Sequence, residues 1–369
     1  MPSAPTPPSE SSERPTPSEP TRPVASPVSS PTTGRARSVV IIGAGLAGLV
    51  AGRELAAAGV DVTLIDKGRS VGGRLATRRI GNARLDHGAQ FFTVRTPAFQ
   101  ARVDDWLDRG VVRVWTRGFG DEDGHPRYVG TDGMNSLAKD LASELHVETS
   151  TMVFAVRPNE AGAAHRWRVV IDDDTVREAD AVVLTAPLPQ SFALLIDTVL
   201  GERDAHDAPT DGDTDHGVEF PERLFRTEYD RTIGLLCAVD GPTAISSPGG
   251  LQDPDDVFSF IGDNAAKGIS GAPAVTFHAG PTWSEDRWDD DPDEVLADLI
   301  DAATPWLGDA SIVESQLKKW RFATPRTVWP DPCWVTADST IVLAGDAFAG
   351  PRVEAAHNSG LAAAHALLG

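Results

Sequence analysis

Cysteine is nearly absent from the 369 residues. Cys237 and Cys333 stand far apart and in no metal-ligand spacing, which argues against a disulfide framework or a metal site and fits a reducing cytoplasm. No stretch approaches the roughly 18 consecutive apolar residues that a bilayer span needs. Lysine is scarce: Lys67, Lys139, Lys267, Lys318 and Lys319 are five among 33 basic residues. The formal charge of −21 disfavours nucleic acid or an anionic membrane surface as the main partner. No internal repeat is visible. The acidic runs Asp172–Asp174 and Asp289–Asp291 read as solvated surface. What the chain does have is 41% hydrophobic residues, enough to bury a sizeable core, and a length that allows two domains or one cofactor domain with a large insertion.

Residues 1 to about 37 are mainly Pro, Ser, Thr, Ala and Glu, with no basic start followed by an apolar core. Such a stretch buries too little apolar surface to offset its ordering entropy and is expected to be disordered. Order begins at Ser38. The β-branched run Val39–Ile42 reads as a buried parallel strand, followed by Gly43, Gly45 and Gly48 in G-x-G-x-x-G spacing. An apolar helix from about Leu46 to Ala58 stops near Gly59, and a second strand, Val62–Ile65, ends at Asp66. In this βαβ unit Gly43 permits the tight turn, Gly45 lets a pyrophosphate approach the backbone, and Gly48 lets helix and strand pack. The helix N-terminus, Leu46 and Ala47 included, faces the phosphates, and Asp66 stands where an acid accepts ribose hydroxyls. The unit predicts a dinucleotide site.

Gly72-Gly73-Arg74 follows as a loop whose arginine could hold the pyrophosphate in a bidentate way. Leu85–Arg95 is expected to begin as a loop and continue extended, and Pro97–Arg109 to form an amphipathic helix on Phe99, Val103, Trp106 and Leu107. Strands are expected at Val111–Arg127 around a charged turn, at His146–Val156, Trp167–Ile171 and Ala179–Thr185. Residues 202–219 read as a mobile acidic insert. Further strands are expected at Ile233–Val239, Val257–Ile261 and Ala274–Ala279, then a helix at Asp293–Ala302 and a strand ending in KKWRFATP. The chain closes with strand Thr340–Ala344, the turn Gly345-Asp346-Ala347 and a helix from about Val353 to Leu368. Asp346 at the carboxyl edge of the sheet can hold a ribityl chain, and the helix behind it aims its positive end at a reduced flavin. This second nucleotide element at the far end of the chain favours FAD over NAD.

The segments GAGLAGL, DKGRSVGGRLATRR, LDHGAQFFTVR, YVGTDGM, WRFATP and GDAFAGPRVEAAHNSG occur in the order and spacing found in renalases, particularly bacterial ones. From about residue 38 to its end the chain resembles this branch of the flavin amine oxidase superfamily. The resemblance implies non-covalent FAD and oxidation of the 2- and 6-dihydro isomers of NAD(P)H, with electrons passed to O2 to give NAD(P)+ and hydrogen peroxide. It implies cofactor contacts from Gly43, Gly45, Leu46, Ala47, Gly48, Asp66, Lys67, Gly73, Arg74, Gln90, Phe91, Phe92, Thr93, Val94, Val153, Thr185, Gly345, Asp346, Val353 and Glu354. Substrate contacts are expected from Phe91, Phe92, Arg95, Asn264, Lys267, His278 and Thr324.

The expected architecture is therefore α/β: a doubly wound Rossmann-like FAD domain (38–95, 128–187 and 338–369) with a strand-rich α+β substrate domain (96–127 and 188–337) inserted. A dihydropyridine already carries a transferable hydride, so orientation within roughly 3–3.5 Å of the flavin replaces acid–base chemistry, in keeping with the absence of a catalytic dyad. Two alternatives stand beside this reading: an amine oxidase or desaturase-like flavoenzyme, and a non-catalytic FAD-binding interaction protein. No nucleic acid, membrane or metal is expected as a partner.

Overall fold

A six-stranded sheet carries both Ser38–Ile42 and Ile341–Leu343, with Ala181–Leu184 between them. Its order is Trp334–Val335, Ile341–Leu343, Ala181–Leu184, Ser38–Ile42, Asp61–Ile65 and His146–Glu148. All neighbours run parallel except the edge strand Trp334–Val335. Val39 to Ile42 are buried on both faces, as a β-branched run in a covered parallel sheet must be. The computed structural model describes residues 36–119, 124–200 and 220–369, all within the compact unit Arg35–Gly369. The Pro/Ser-rich stretch expected to be disordered, the acidic insert at 202–219 and most of the charged turn near residue 120 lie outside the described residues.

Helix Leu46–Ala57 follows the first strand and packs along the final helix, Val353–Leu368, whose bounds are those read from the sequence. The two backbones approach closely at Gly360, where a Cβ would lie 2.3 Å from the Ala47 carbonyl oxygen. The strand expected over Ala179–Thr185 is broken at Asp180 into Val176–Ala179 and Ala181–Leu184. The Asp180 carboxylate accepts the Arg37 and Ser38 amides (2.8 and 3.1 Å) and contacts His165, which pins the start of the sheet.

The second large sheet is antiparallel, ordered Gly250–Gln252, Phe258–Asp263, Ala274–Ala279, Tyr229–Asp240 and Ser311–Pro325. Alternation assigns its faces. Ile233, Leu235, Cys237, Val275 and Phe277 pack under helix Pro292–Leu307, while Thr232, Gly234, His278, Lys318 and Trp320 point the other way. That helix runs five residues beyond the expected Ala302 and through Pro305. Burial of Ala303 and Leu307 on the stripe begun by Val295 and Leu299 offsets the hydrogen bond lost at the proline.

The stretch Leu85–Arg95 reverses its expected order. Ala83–Asp86 is the strand, paired with Thr77–Ile80, and the chain turns irregular from His87, with Phe92 bridging to Tyr128. The cause is close contact: the Ala89 amide donates to the Arg74 carbonyl at 2.8 Å, and a Cβ on Gly88 would sit 2.0 Å from that oxygen. Among the described residues no helix is long and apolar enough to cross a membrane.

Candidate cofactor and substrate site

The parallel strands deliver Gly43, Asp66, Thr185 and Gly345 to one edge of the sheet, where open α/β sheets bind ligands. Gly43 turns the chain at φ +108°, and its carbonyl accepts the Thr185 hydroxyl at 2.9 Å. A Cβ on Gly48 would lie 2.0 Å from the Gly43 carbonyl oxygen, so this glycine serves packing. A Cβ on Gly45 would meet nothing within 4 Å, because that position opens into a cavity. Asp66 is fixed by the Ala44 amide on one carboxylate oxygen (2.7 Å) and the Gly68 amide on the other (2.6 Å).

The cavity encloses about 900 Å³ and runs from this edge to the free face of the antiparallel sheet. Of the residues expected at the cofactor, Gly43, Gly45, Leu46, Ala47, Asp66, Lys67, Gly73, Arg74, Phe91, Phe92, Thr93, Val153, Thr185, Gly345, Asp346 and Val353 line it. His278 and Thr324 line it as well. Thr232, Trp320, Arg321 and Phe322 also do, and none of these was singled out from sequence. The signal for three of them was present in the WRFATP segment, but alternation alone does not tell which side of a strand faces a ligand. Thr232 carried no signal.

Several expected contacts lie elsewhere. Glu354 is buried against the start of helix Pro97–Asp108, accepting the Arg95 and Thr96 amides at 2.8 and 2.9 Å and the Thr96 hydroxyl at 2.5 Å. Arg95 is thus tied to Glu354 through its backbone, and Val94 packs into the adjoining core. Arg74 was expected to clamp the pyrophosphate. Its guanidinium instead grips Asp346 in a bidentate pair (2.5 and 2.7 Å) and reaches the carbonyls of Phe322 and Ala323, both at 3.2 Å.

Asn264, Lys267 and Gln90 form a buried network behind the cavity wall. Lys267 has no exposed surface and pairs with equally buried Asp86 at 2.8 Å, while also donating to the Gln90 side-chain oxygen at 3.1 Å. Gln90 in turn donates to the Asp86 and Gly88 carbonyls. Asn264 accepts the Asp86 amide and donates to Thr276. Asp86 completes its coordination with the Thr77 hydroxyl (2.6 Å) and the Met134 amide (2.8 Å). Burial lowers the Lys267 pKa, and the Asp86 charge opposes that. The network fixes the segment whose next residues, Phe91 to Thr93, form the wall.

On the sheet face, burial pushes the His278 imidazole down to about 4, so it is neutral at physiological pH. Its Nε2 has no hydrogen-bond partner among the described residues. His87 is driven to about 3, first by burial and then by Lys318. It stacks on Trp320 (5.4 Å, 20°), whose indole N–H donates to the His87 carbonyl at 2.6 Å.

This architecture is that of a protein built on a dinucleotide-binding sheet. The family of flavin-containing amine oxidoreductases matches residues 112–368, and the NAD(P)-binding Rossmann-like domain matches residues 41–109. The chain belongs to the flavin-containing amine oxidoreductases. It is 44% identical over 61 residues to a hydroxyneurosporene desaturase of Rubrivivax gelatinosus, covering 16% of this chain and 12% of that one. It is 39% identical over 69 residues to a putrescine oxidase of Kocuria rosea, covering 19% and 14%. The chain thus spans a small fraction of the curated relatives it matches. A solved putrescine oxidase shares the fold at 15% identity, with a TM-score of 0.62 over 89% of this chain and 98% of the other. So does an oxidoreductase from Methanosarcina mazei (13%, 0.57, 88% and 99%).

The cofactor is FAD, and the residues present fit it. The open space over Gly45 admits a pyrophosphate beside the N-terminus of helix Leu46–Ala57, Asp66 lines the nucleotide end, and the cavity continues to the N-terminus of helix Val353–Leu368.

Proposed function

We propose that this protein is an FAD-dependent oxidase of the renalase type, taking a hydride from 2- or 6-dihydroNAD(P) and passing the electrons to O2. The balance is dihydroNAD(P) + O2 + H+ → NAD(P)+ + H2O2. The observation that carries this reading is the charge of the cavity wall. Among the described residues its acids are Asp66, held by backbone amides, and Asp346, neutralised by Arg74, whereas Lys67, Arg321 and Arg352 add positive charge. An amine that binds as a cation finds no free carboxylate there; a phosphate-bearing donor finds complementary charge.

The FAD supplies the hydride acceptor and the route to oxygen. The protein supplies orientation and dryness. Phe91 and Trp320 offer flat apolar surface to a dihydropyridine ring, and neutral His278 presents an unpartnered ring nitrogen to a polar substituent. Cofactor contacts fall on Gly43, Gly45, Leu46, Ala47, Asp66, Lys67, Gly73, Thr185, Gly345 and Val353, with Asp346 holding the ribityl hydroxyls. We assign 38–95, 128–187 and 338–369 to the cofactor domain and 96–127 and 188–337 to the substrate domain.

The deciding measurement is anaerobic stopped-flow bleaching of the bound flavin. 6-DihydroNAD is expected to reduce it at least about a hundredfold faster than putrescine, benzylamine or ordinary NADH. Rapid bleaching by an amine instead establishes amine oxidation, the second reading, which the identity to putrescine oxidase favours. Bleaching by no donor leaves a non-catalytic flavin binder. For the cofactor site, Asp346→Ala removes the bidentate partner of Arg74 and the proposed ribityl contact. FAD retention, followed by the fluorescence of released flavin, is expected to weaken at least about tenfold. Full occupancy in this variant refutes the placement of Asp346.

A further inference from the structure

We propose that Glu354 sets the reduction potential of the flavin, holding it below the value that the N-terminus of the last helix would otherwise impose. Helix Val353–Leu368 opens on the cavity, which Val353 and Ala356 line. A bare helix N-terminus carries roughly half a positive charge and favours an anion, such as a reduced flavin without its N1 proton. Glu354 stands between those two residues in the first turn, where that charge is concentrated. It does not line the cavity and is only 4% exposed. Its partners, Arg95 and Thr96, follow closely on Thr93, which does line the cavity. The carboxylate is therefore buried in the wall itself, between two segments that face the cofactor site.

Hydrogen bonding defines the charge. Oε2 accepts the Arg95 amide, and Oε1 accepts the Thr96 amide and the Thr96 hydroxyl. That hydroxyl itself accepts the Phe99 amide at 3.4 Å, so its proton points to the carboxylate. Donors on both oxygens suit the ionised acid and leave a carboxylic proton no acceptor. Among the described residues Glu354 makes no ion pair. Nearby cations are engaged or exposed: Arg102 pairs with Asp105 at 3.6 Å, exposed Arg352 donates to the Ala349 carbonyl at 3.2 Å, and the Arg95 side chain is exposed. His357, further along the same helix, is held neutral mainly by burial. Thr96 caps helix Pro97–Asp108, so one carboxylate faces two helix N-termini. Its unit charge offsets about two half charges, and the positive end that the sequence directs at the flavin is cancelled. A buried charge is weakly screened, so it acts on the flavin without touching it. A lowered potential favours loss of electrons from the reduced cofactor, the half-reaction in which O2 is reduced.

The proposal rests on placing the flavin ring at Val353, not on the identity of the donor, and is tested on the FAD-loaded protein by equilibration with redox dyes. Glu354→Gln removes the charge. It is expected to shift the equilibrium between oxidised and reduced flavin about tenfold towards the reduced form, a rise of about 30 mV for two electrons. Glu354→Asp keeps the charge and is expected to stay within about twofold of wild type. Thr96→Val deletes the hydroxyl donor, leaves the carboxylate less neutralised, and is expected to shift the equilibrium about threefold the opposite way. A purely structural role would move Glu354→Gln and Thr96→Val in the same direction. That outcome, no shift in Glu354→Gln, or an equal shift in Glu354→Asp overturns the proposal. Should Glu354→Gln not fold, Thr96→Val decides: a fall in potential supports the proposal, and a rise or no change overturns it. Val353→Phe tests the placement separately. Weakened FAD retention or an altered visible spectrum upholds it, so that an unshifted Glu354→Gln then counts against the charge alone. Unchanged retention and spectrum overturn the placement and the proposal together.

Discussion

Lys267→Met is expected to destabilise the FAD-loaded protein by about 3–5 kcal/mol, the effect of stranding one member of a buried ion pair. Lys267 and Asp86 have no exposed surface and lie 2.8 Å apart. Removing the ammonium leaves a carboxylate held by the Thr77 hydroxyl and the Met134 amide, away from water. Urea denaturation checks this; a loss below about 1 kcal/mol would show that the buried carboxylate is accommodated without the ammonium. Because Lys267 also holds Gln90, the variant is expected to retain FAD less well.

Acid is expected to produce a comparable loss. His87, His278 and His357 are held neutral, mainly by burial, with pKa values near 3, 4 and 4. A histidine whose folded pKa is depressed gains nothing above pH 6.5, where both states are neutral. As pH falls below that value the unfolded chain takes up protons that the folded protein refuses, and stability drops until the folded pKa is reached. Between pH 7.5 and pH 5 each imidazole contributes about 2 kcal/mol and the three about 6 kcal/mol. Carboxylates titrate mostly below this window, so the slope reports the histidines. His357→Gln, away from the cavity and packed beside Phe99 and Trp106, is expected to remove about a third of the slope. Thermal or urea melts that are flat from pH 7.5 to 5 would show that the imidazoles protonate in place.

Local structure was legible wherever the residues that specify it are neighbours in sequence. The first strand, the glycine turn and the helix starting at Leu46 follow from spacing alone, and the last helix begins and ends where its apolar pattern does. Reading failed where distant chain segments compete. Nothing within DNAAK distinguishes a lysine reaching a ligand from one paired inside the protein, because Asp86 is far away in sequence. The resemblance put Glu354 in the flavin pocket, yet the amides of Arg95 and Thr96 claim it. Arg74 looked free for a phosphate until Asp346 came within 2.7 Å.

By itself, then, the sequence determined the α/β class, the dinucleotide turn and the closing Gly-Asp element that points to a flavin. These depend on backbone conformation and on apolar periodicity over a few residues. The tertiary structure alone decided which polar groups face the cavity. A charge is buried only where a partner satisfies it, and for Lys267, Glu354 and Arg74 that partner comes from another part of the chain.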